Sequence, residues 1–401
     1  MRLSHSKLLA LSAFFGLTGN SAVHVAIPWL VLESTGSSAQ AGIVLGISGL
    51  SVIFTAPLIG GLIAVLGARP VSVWADVISA TSVLLFPIIG SLVGLNLPLL
   101  LVIAIFGAMF DPAGGTARKS LIQPVVEKEG LSLTKFNGNY EAAATVGTVI
   151  GPAGAALAIS IIGVDATFYV IAVVFVLASA TASFIPVITE RMARQKAFSI
   201  GNVMAETRLG VKTLWSDKPL ISLVGLYTML TAIYMPVESI VLSRYFQDLD
   251  EPQTLGFVLS AMSVGIVIGA LQFHRAVRVL SPGNLVVISM SLIGAVVCGM
   301  AFLPNAIVFI ALGLALGLAF GPVSPLTNYL IQRRVPQHLH GPVFGTQFSL
   351  THLALPVGTL ALGLIVQSVS IATLLFVIGV LFIGVTLLVG FIGPLRKLAA
   401  D

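Results

Sequence analysis

Gly138–Ala156 reads GNYEAAATVGTVIGPAGAA, with four glycines and one proline, and with an asparagine, a tyrosine and a glutamate directly after the first glycine. On a helix of about 3.6 residues per turn, Gly147, Gly151, Gly154 and Ala158 fall on one stripe, where a second helix backbone can approach closely. Pro152 donates no backbone hydrogen bond, so in lipid the carbonyl it frees needs a partner inside the protein. Glu141, Thr145 and Thr148 lie roughly a third of a turn away, polar material that is costly against acyl chains. The stretch reads as a membrane helix with two working faces.

Composition agrees. Hydrophobic residues are 57% and charged residues 9% of 401, and the mean hydropathy is +1.06, which excludes an ordinary soluble domain. A span needs about 20 apolar residues, and the chain divides into twelve such segments, an all-α polytopic membrane protein. They begin near Leu8, Ala41, Val71, Pro98, Phe136 and Asp165, then near Pro219, Thr254, Gly283, Pro304, Val343 and Ile371. The N-terminus also has the basic start and apolar run of a signal peptide, but the run continues to Leu32, too long for that role, and it is read as the first span. A lone cysteine, Cys298, excludes an internal disulfide, and no metal-ligand cluster is present.

Charge placement predicts topology. With both termini cytoplasmic, the basic residues group on that side: Arg2, Lys7, Arg69, Arg118, Lys119, Lys128, Lys135, the run from Arg191 to Lys218, Arg275, Arg278, Arg333, Arg334, Arg396 and Lys397. Only Arg244 falls outside, while Glu33, Asp248, Asp250 and Glu251 lie on the outer face, as the positive-inside rule requires. The net charge of +5 thus reflects topology and gives no reason to expect a nucleic-acid partner.

The two halves repeat each other. Phe110 and Pro112, then Leu121, Ile122 and Gln123, then Pro152 and Gly154 answer in order to Phe320 and Pro322, Leu330, Ile331 and Gln332, Pro356 and Gly358. Two six-helix bundles of like orientation are an architecture of secondary transporters, with the substrate between them near the midplane. The expected domains are 1–188, a linker 189–218 and 219–401. In the linker, Ile200, Val203, Met204, Val211, Leu214 and Trp215 recur at helical spacing, predicting an amphipathic helix on the cytoplasmic leaflet with Trp215 at headgroup level.

The start, GLTGNSAVHVAIPWLVLESTGSSAQAG, resembles the first helix and outer loop of the major facilitator superfamily, in the drug:proton antiporter branch of macrolide efflux pumps and enterobactin-type siderophore exporters. Gly138, Gly147, Gly151 and Pro152 match that superfamily's antiporter motif, with Ala155 and Ala156 in place of its closing glycine pair; QRRVPQHLHGPVFGTQFSL from Gln332 is similar to the branch's loop before the eleventh helix. The resemblance covers the whole chain. It implies the major facilitator fold and an exporter in the bacterial cytoplasmic membrane, acting as a monomer by alternating access on a small amphiphilic substrate. No cofactor is implied, only an ion gradient, most simply protons.

Two motifs depart from the pattern. Where the superfamily has Gly-x-Leu-Ala-Asp-Arg-x-Gly-Arg-Arg, this chain reads GGLIAVLGAR over residues 60–69, keeping one arginine, Arg69. In the family these charges latch the cytoplasmic side; here Asp76 or Asp111 can pair with Arg69 or Arg118, and the four are assigned to gating. In the first span Asn20 stands where many members of the branch carry an aspartate, and it takes up no proton. His24, one turn further on the same face, titrates near neutrality and is a replacement coupling group, or else a histidine bonded to a backbone carbonyl.

Ionisable residues within spans are functional candidates by default. Glu141 is the first choice for proton coupling, with Thr145 on its stripe. Tyr227, Thr231, Tyr234 and Glu238 follow at helical spacing in the seventh span, a lining suited to an amphiphilic or cationic molecule. Gln347 and Thr351 share a face of the eleventh, with His352 pointing elsewhere. No nucleophile constellation, phosphate loop or HExxH appears, so neither an enzyme nor an ATP-driven pump is expected. The alternative function is a lysophospholipid or other lipid flippase of the same fold, since FNGNYEAAATV is also similar to a lipid-moving branch; a lateral opening between the fifth and eighth helices would favour it.

Overall fold

The computed structural model describes residues 4–36, 38–185, 199–249, 251–366 and 368–391. Arg2, Asp250, Arg396, Lys397 and the first part of the linker, with its basic residues up to Lys196, lie outside these. Every regular element among the described residues is helical. In order they are α1 (His5–Thr35), α2 (Ser38–Leu66), α3 (Ala68–Val93), α4 (Leu97–Ala108), α5 (Asp111–Glu129), α6 (Leu133–Ile162), α7 (Val164–Ser183), α8 (Ile200–Ser216) and α9 (Lys218–Pro236). After a π-turn over Val237–Leu242 come α10 (Ser243–Asp248), α11 (Pro252–Val279), α12 (Pro282–Met300), α13 (Ala306–Phe320), α14 (Val323–Arg334), a 3-10 turn, α15 (His340–Ile365) and α16 (Ile371–Phe391).

Eleven of the twelve expected starting points lie inside a helix, and Pro304 precedes α13 by two residues. Ten helices among the described residues are long and apolar enough to cross a membrane. Their outward side chains, such as Val102, Leu157, Ile161 and Val173, are apolar and more than half exposed, the surface expected of a protein whose solvent is lipid. The repeat landmarks mark interruptions. α4 gives way to α5 at Met109 and Phe110, with Pro112 in the first turn of α5, and α13 gives way to α14 at Gly321 and Pro322. Proline without an N–H suits the start of a helix, so each crossing is built from two shorter helices.

The chain groups into two compact units. The first holds Met1–Leu131, Ala143–Val211 and Val335–Phe348; the second holds Ser132–Ala142, Lys212–Arg334 and Ser349–Asp401. In the first unit α3 packs on α7 and α5, and α1 on α7, α5 and α2. Phe86, Phe168 and Phe175 fill its apolar core with Leu30, Leu100 and Ile103. In the second unit α11 lies along α13 and α12 along α16. Gly265 of α11 faces the Leu314 carbonyl, and Gly313 and Gly317 of α13 face those of Val258 and Met262, so glycines on both helices admit the partner backbone.

α6 contributes to both units. A Cβ on Gly147 would stand 2.5 Å from the Phe14 carbonyl oxygen, and one on Gly151 would press on that of Thr18. The predicted seam is therefore real, but its course differs. Around Gly154 nothing lies within 4 Å, and the buried positions continue through Ala155 and Ile159. α1 follows the row of residues four apart, which winds round the helix, and so it leaves Gly154 behind. Thr148 is exposed and bonds the Ala144 carbonyl of its own helix at 3.1 Å, which removes its hydroxyl from the predicted polar stripe. Gly138 faces the carbonyl of Ala270 on α11, within the second unit.

α8 forms where the linker periodicity places it, though its apolar residues divide. Val203 and Leu214 are buried, with the Val203 carbonyl against Gly61 and Gly210 against Pro342. Ile200, Met204, Val211 and Trp215 are exposed. The helix is thus a brace under α2 and the start of α15 with a second, uncovered apolar edge.

Replacing Gly151 by Leu should push α1 off α6 and cost about 1–3 kcal/mol, the usual penalty for overpacking. Gly154→Leu should be neutral. Thermal unfolding of the purified protein in mild detergent checks the pair.

Candidate functional site

The interior of the first unit is polar along one line. α3 buries Ser72, Asp76, Ser79 and Ser82, a spacing of four, three and three that keeps them on one face. Opposite stands α5. Arg118 Nη2 donates to Asp76 Oδ1 at 2.9 Å and Nη1 reaches both oxygens at 3.3 Å, with both side chains about 95% enclosed. Space for the guanidinium comes from two glycines. A Cβ on Gly16 of α1 would collide with Nη2, and one on Gly114 would approach both Nη1 and Asp76 Oδ1 within 3.3 Å. Asp111, first residue of α5, accepts from Ser79 Oγ at 3.3 Å.

Of the four gating candidates, then, Asp76 and Arg118 meet each other and Asp111 meets a serine. Arg69 donates to the Ser183 carbonyl at 2.5 Å. An arginine at a helix start reaches the neighbouring helix end more easily than the interior of the unit, which explains the choice. The contributions of Ser79, Gly16 and Gly114 were missed from sequence, although the buried spacing Ser72, Asp76, Ser79, Ser82 was a readable signal.

The second unit holds another polar line, between the start of α6 and the middle and end of α14. Asn137 Nδ2 donates to Gln332 Oε1 at 2.7 Å, and Asn328 Nδ2 donates to Glu141 Oε1 at 2.6 Å. Each pair steps four residues forward on one helix and four back on the other, the register of antiparallel neighbours. Thr134 Oγ1 lies 2.6 Å from His274 Nδ1 at the open end of the line. Glu141 is thus half-buried and held by an amide. Asn137, Asn328 and Gln332 went unrecognised because neutral amides carry no sequence signal until their partners are known.

On α9, Thr231 is buried with its hydroxyl on the Tyr227 carbonyl at 3.0 Å. The Tyr234 hydroxyl meets Met262 Sδ, and its ring lies 5.7 Å from that of Phe320. Glu238 sits in the π-turn that follows Pro236, so the α-helical spacing grouping it with Tyr234 ends before it. In α1, Asn20 Oδ1 is buried with no partner among the described residues, and His24 is exposed. Thr145 is half-buried; Gln347 and Thr351 are buried and His352 is exposed. Arg244, the one outer basic residue, lies 3.8 Å from Asp248 and reaches the Val366 carbonyl. No group of three or more metal-ligating side chains occurs among the described residues.

Known proteins show the same pattern of helices. The sequence profile described as "Major Facilitator Superfamily" matches residues 9–359. The chain belongs to the major facilitator superfamily. Among its relatives, the multidrug efflux pump Tap of Mycolicibacterium fortuitum is 32% identical over 363 residues, 89% of this chain and 88% of that one. Macrolide efflux protein A of Streptococcus pyogenes is 23% identical over 390 residues, covering 95% and 94%. Two solved structures share the superfamily fold at a TM-score of 0.75: a bacterial homologue of the iron transporter ferroportin, at 16% identity and full coverage of both chains, and the Escherichia coli fucose:proton symporter, at 16% identity with 97% and 98% covered. The chain is thus an all-α, multi-pass membrane transporter of this superfamily.

Arg118→Met leaves a buried carboxylate without its cation, and should lower stability by about 3–5 kcal/mol. The double variant Asp76→Asn with Arg118→Gln replaces the ion pair by two amides and should recover much of that loss. Thermal unfolding of the three proteins side by side checks it.

Proposed function

We propose that this superfamily member is a secondary active exporter, carrying small amphiphilic molecules of drug or siderophore type out across the bacterial cytoplasmic membrane by alternating access, driven by protons moving inward. The observation that carries the export reading is the match over nine-tenths of the chain to proteins named multidrug efflux pumps. The chain works as a monomer with both termini cytoplasmic, in two pseudo-symmetric bundles over 1–188 and 219–401 joined by the linker, and it performs no covalent chemistry on its substrate.

Proton antiport is supported by carboxylates held inside spans where only function warrants their cost. Glu141 is placed to report the protonation state to α14 through Asn328. As a carboxylate it accepts the amide hydrogen bond; once protonated it has a donor of its own to place, and the α6–α14 line must rearrange. Tyr227, half-buried on α9, offers aromatic surface to a lipophilic substrate, with Glu238 further along the same stretch as a polar contact. The flippase alternative is less favoured: Gly138 sets α6 directly on the α11 backbone, at a place where a lipid entrance would need a gap.

In proteoliposomes, an imposed pH gradient should drive ethidium or macrolide transport, and collapsing it with nigericin should stop it. Transport that ignores the gradient would sink the antiport reading. Glu141→Gln keeps an acceptor for Asn328, so its thermal stability should change by no more than about 1 kcal/mol, while gradient-driven transport falls. Thermal stabilisation by lysophospholipids alone, with macrolides, dyes and siderophores inert, would transfer the protein to the flippase class.

A further inference from the structure

We infer that Asp111, where α4 gives way to α5, is the proton-binding residue of the first unit, with Ser79 as its hydrogen-bond donor and the Asp76–Arg118 ion pair already closed beside it. In its role for transport this rests on the antiport reading above, but the site stands on geometry. The charges inside the unit are few. α2, α4 and residues 143–162 of α6 carry none, and the one charged residue of α7 is Asp165, in its first turn. α1 presents Gly16 to the cluster, with Asn20 and His24 one and two turns beyond it, and Arg69 of α3 is engaged by Ser183. Further along α5 come Lys119, half-buried, and Glu127, Lys128 and Glu129 at the helix end.

The unit's interior thus holds two carboxylates and one guanidinium, with Asp76 and Arg118 buried and Asp111 half-buried. Arg118 gives both of its Nη atoms to Asp76, and its Nε, buried in a side chain 4% exposed, has no acceptor among the described residues. The cation is committed to one carboxylate and still carries a donor to spare, while the other carboxylate has only a serine hydroxyl. Full ionisation would leave a net negative charge near the middle of the 33-residue span Leu97–Glu129, which is costly. Asp111 relieves it by taking up a proton.

Its position also favours release. As the first residue of α5 it stands at the positive end of that helix's dipole, which stabilises the ionised form. The two influences oppose each other, and a group balanced between them exchanges its proton when its surroundings change. Ser79, one turn from Asp76 on α3, bonds Asp111, and Ser72 and Ser82 extend the same line of hydroxyls in both directions. Secondary transporters commonly build their substrate and coupling-ion sites at discontinuous helices. Here the break, the carboxylate and the neighbouring ion pair all come from one unit.

Infrared difference spectroscopy of the full-length protein in liposomes, titrated from about pH 5 to about pH 9, tests this without a substrate. The wild type should show a carboxylic-acid C=O band that disappears as pH rises. Asp111→Asn should lose that band, Glu141→Gln should keep it, and Ser79→Ala should move it to higher frequency, because the carbonyl loses its hydrogen bond. A wild type with no such band, or a band indifferent to Asp111→Asn, would overturn the assignment. If Asp111→Asn does not fold, an unshifted band in Ser79→Ala overturns it instead. A band that behaves as expected in a protein whose transport ignores the pH gradient would leave the proton site standing and remove the antiport reading.

Discussion

Lipid gives an apolar side chain no reason to prefer a protein neighbour, so helices in this chain are held together wherever their backbones can come close enough for dispersion contacts to add up. Glycine makes that approach possible. Gly147 and Gly151 admit α1 to α6, and Gly265, Gly313 and Gly317 bring α11 and α13 together. Without these contacts the same hydrophobic residues would be equally well solvated by acyl chains, and the polar interiors of the units would have nothing to enclose them.

Enclosure raises the stakes for every charge inside. The chain's polar interior is arranged in lines, one on α3 and α5 and one between the start of α6 and α14, in which polar groups follow a helical turn apart and meet partners on the facing helix. Asp76 and Arg118 form the rigid element of the first line, since separating them strands a charge. Glu141 and Asn328 form a softer element of the second, since an amide serves a carboxylate and a neutral acid alike with a change of donor. Rigid and adaptable polar contacts in the same small protein are what a transporter requires: one part must hold its geometry while another changes partners.

Much of this was legible in the residues. The apolar segments, the glycine seam on α6, the repeat of Phe-x-Pro and Leu-Ile-Gln landmarks and the membership in a superfamily of transporters all follow from local composition and order. Glu141 and the four gating charges were likewise visible as candidates, being ionisable residues in or beside spans. Periodicity went astray where a helical wheel was asked to stand for a neighbour. Gly154 and Thr148 belong to the predicted stripes by angle, yet α1 leaves the one and the helix's own carbonyl takes up the other. The amphipathic residues of α8 form one arc by periodicity, and the protein covers only Val203 and Leu214 of it.

The sequence by itself determined that this chain is a helical membrane protein of duplicated plan, because burial in lipid constrains composition over every span and punctuation residues act within a turn or two of themselves. Only the tertiary structure decided which charges meet. Arg118 chose Asp76, 42 residues away, and Glu141 met Asn328, 187 residues away. Such pairings depend on how helices cross and rotate against one another, and that depends on the sum of many small packing contacts that no single stretch of residues contains.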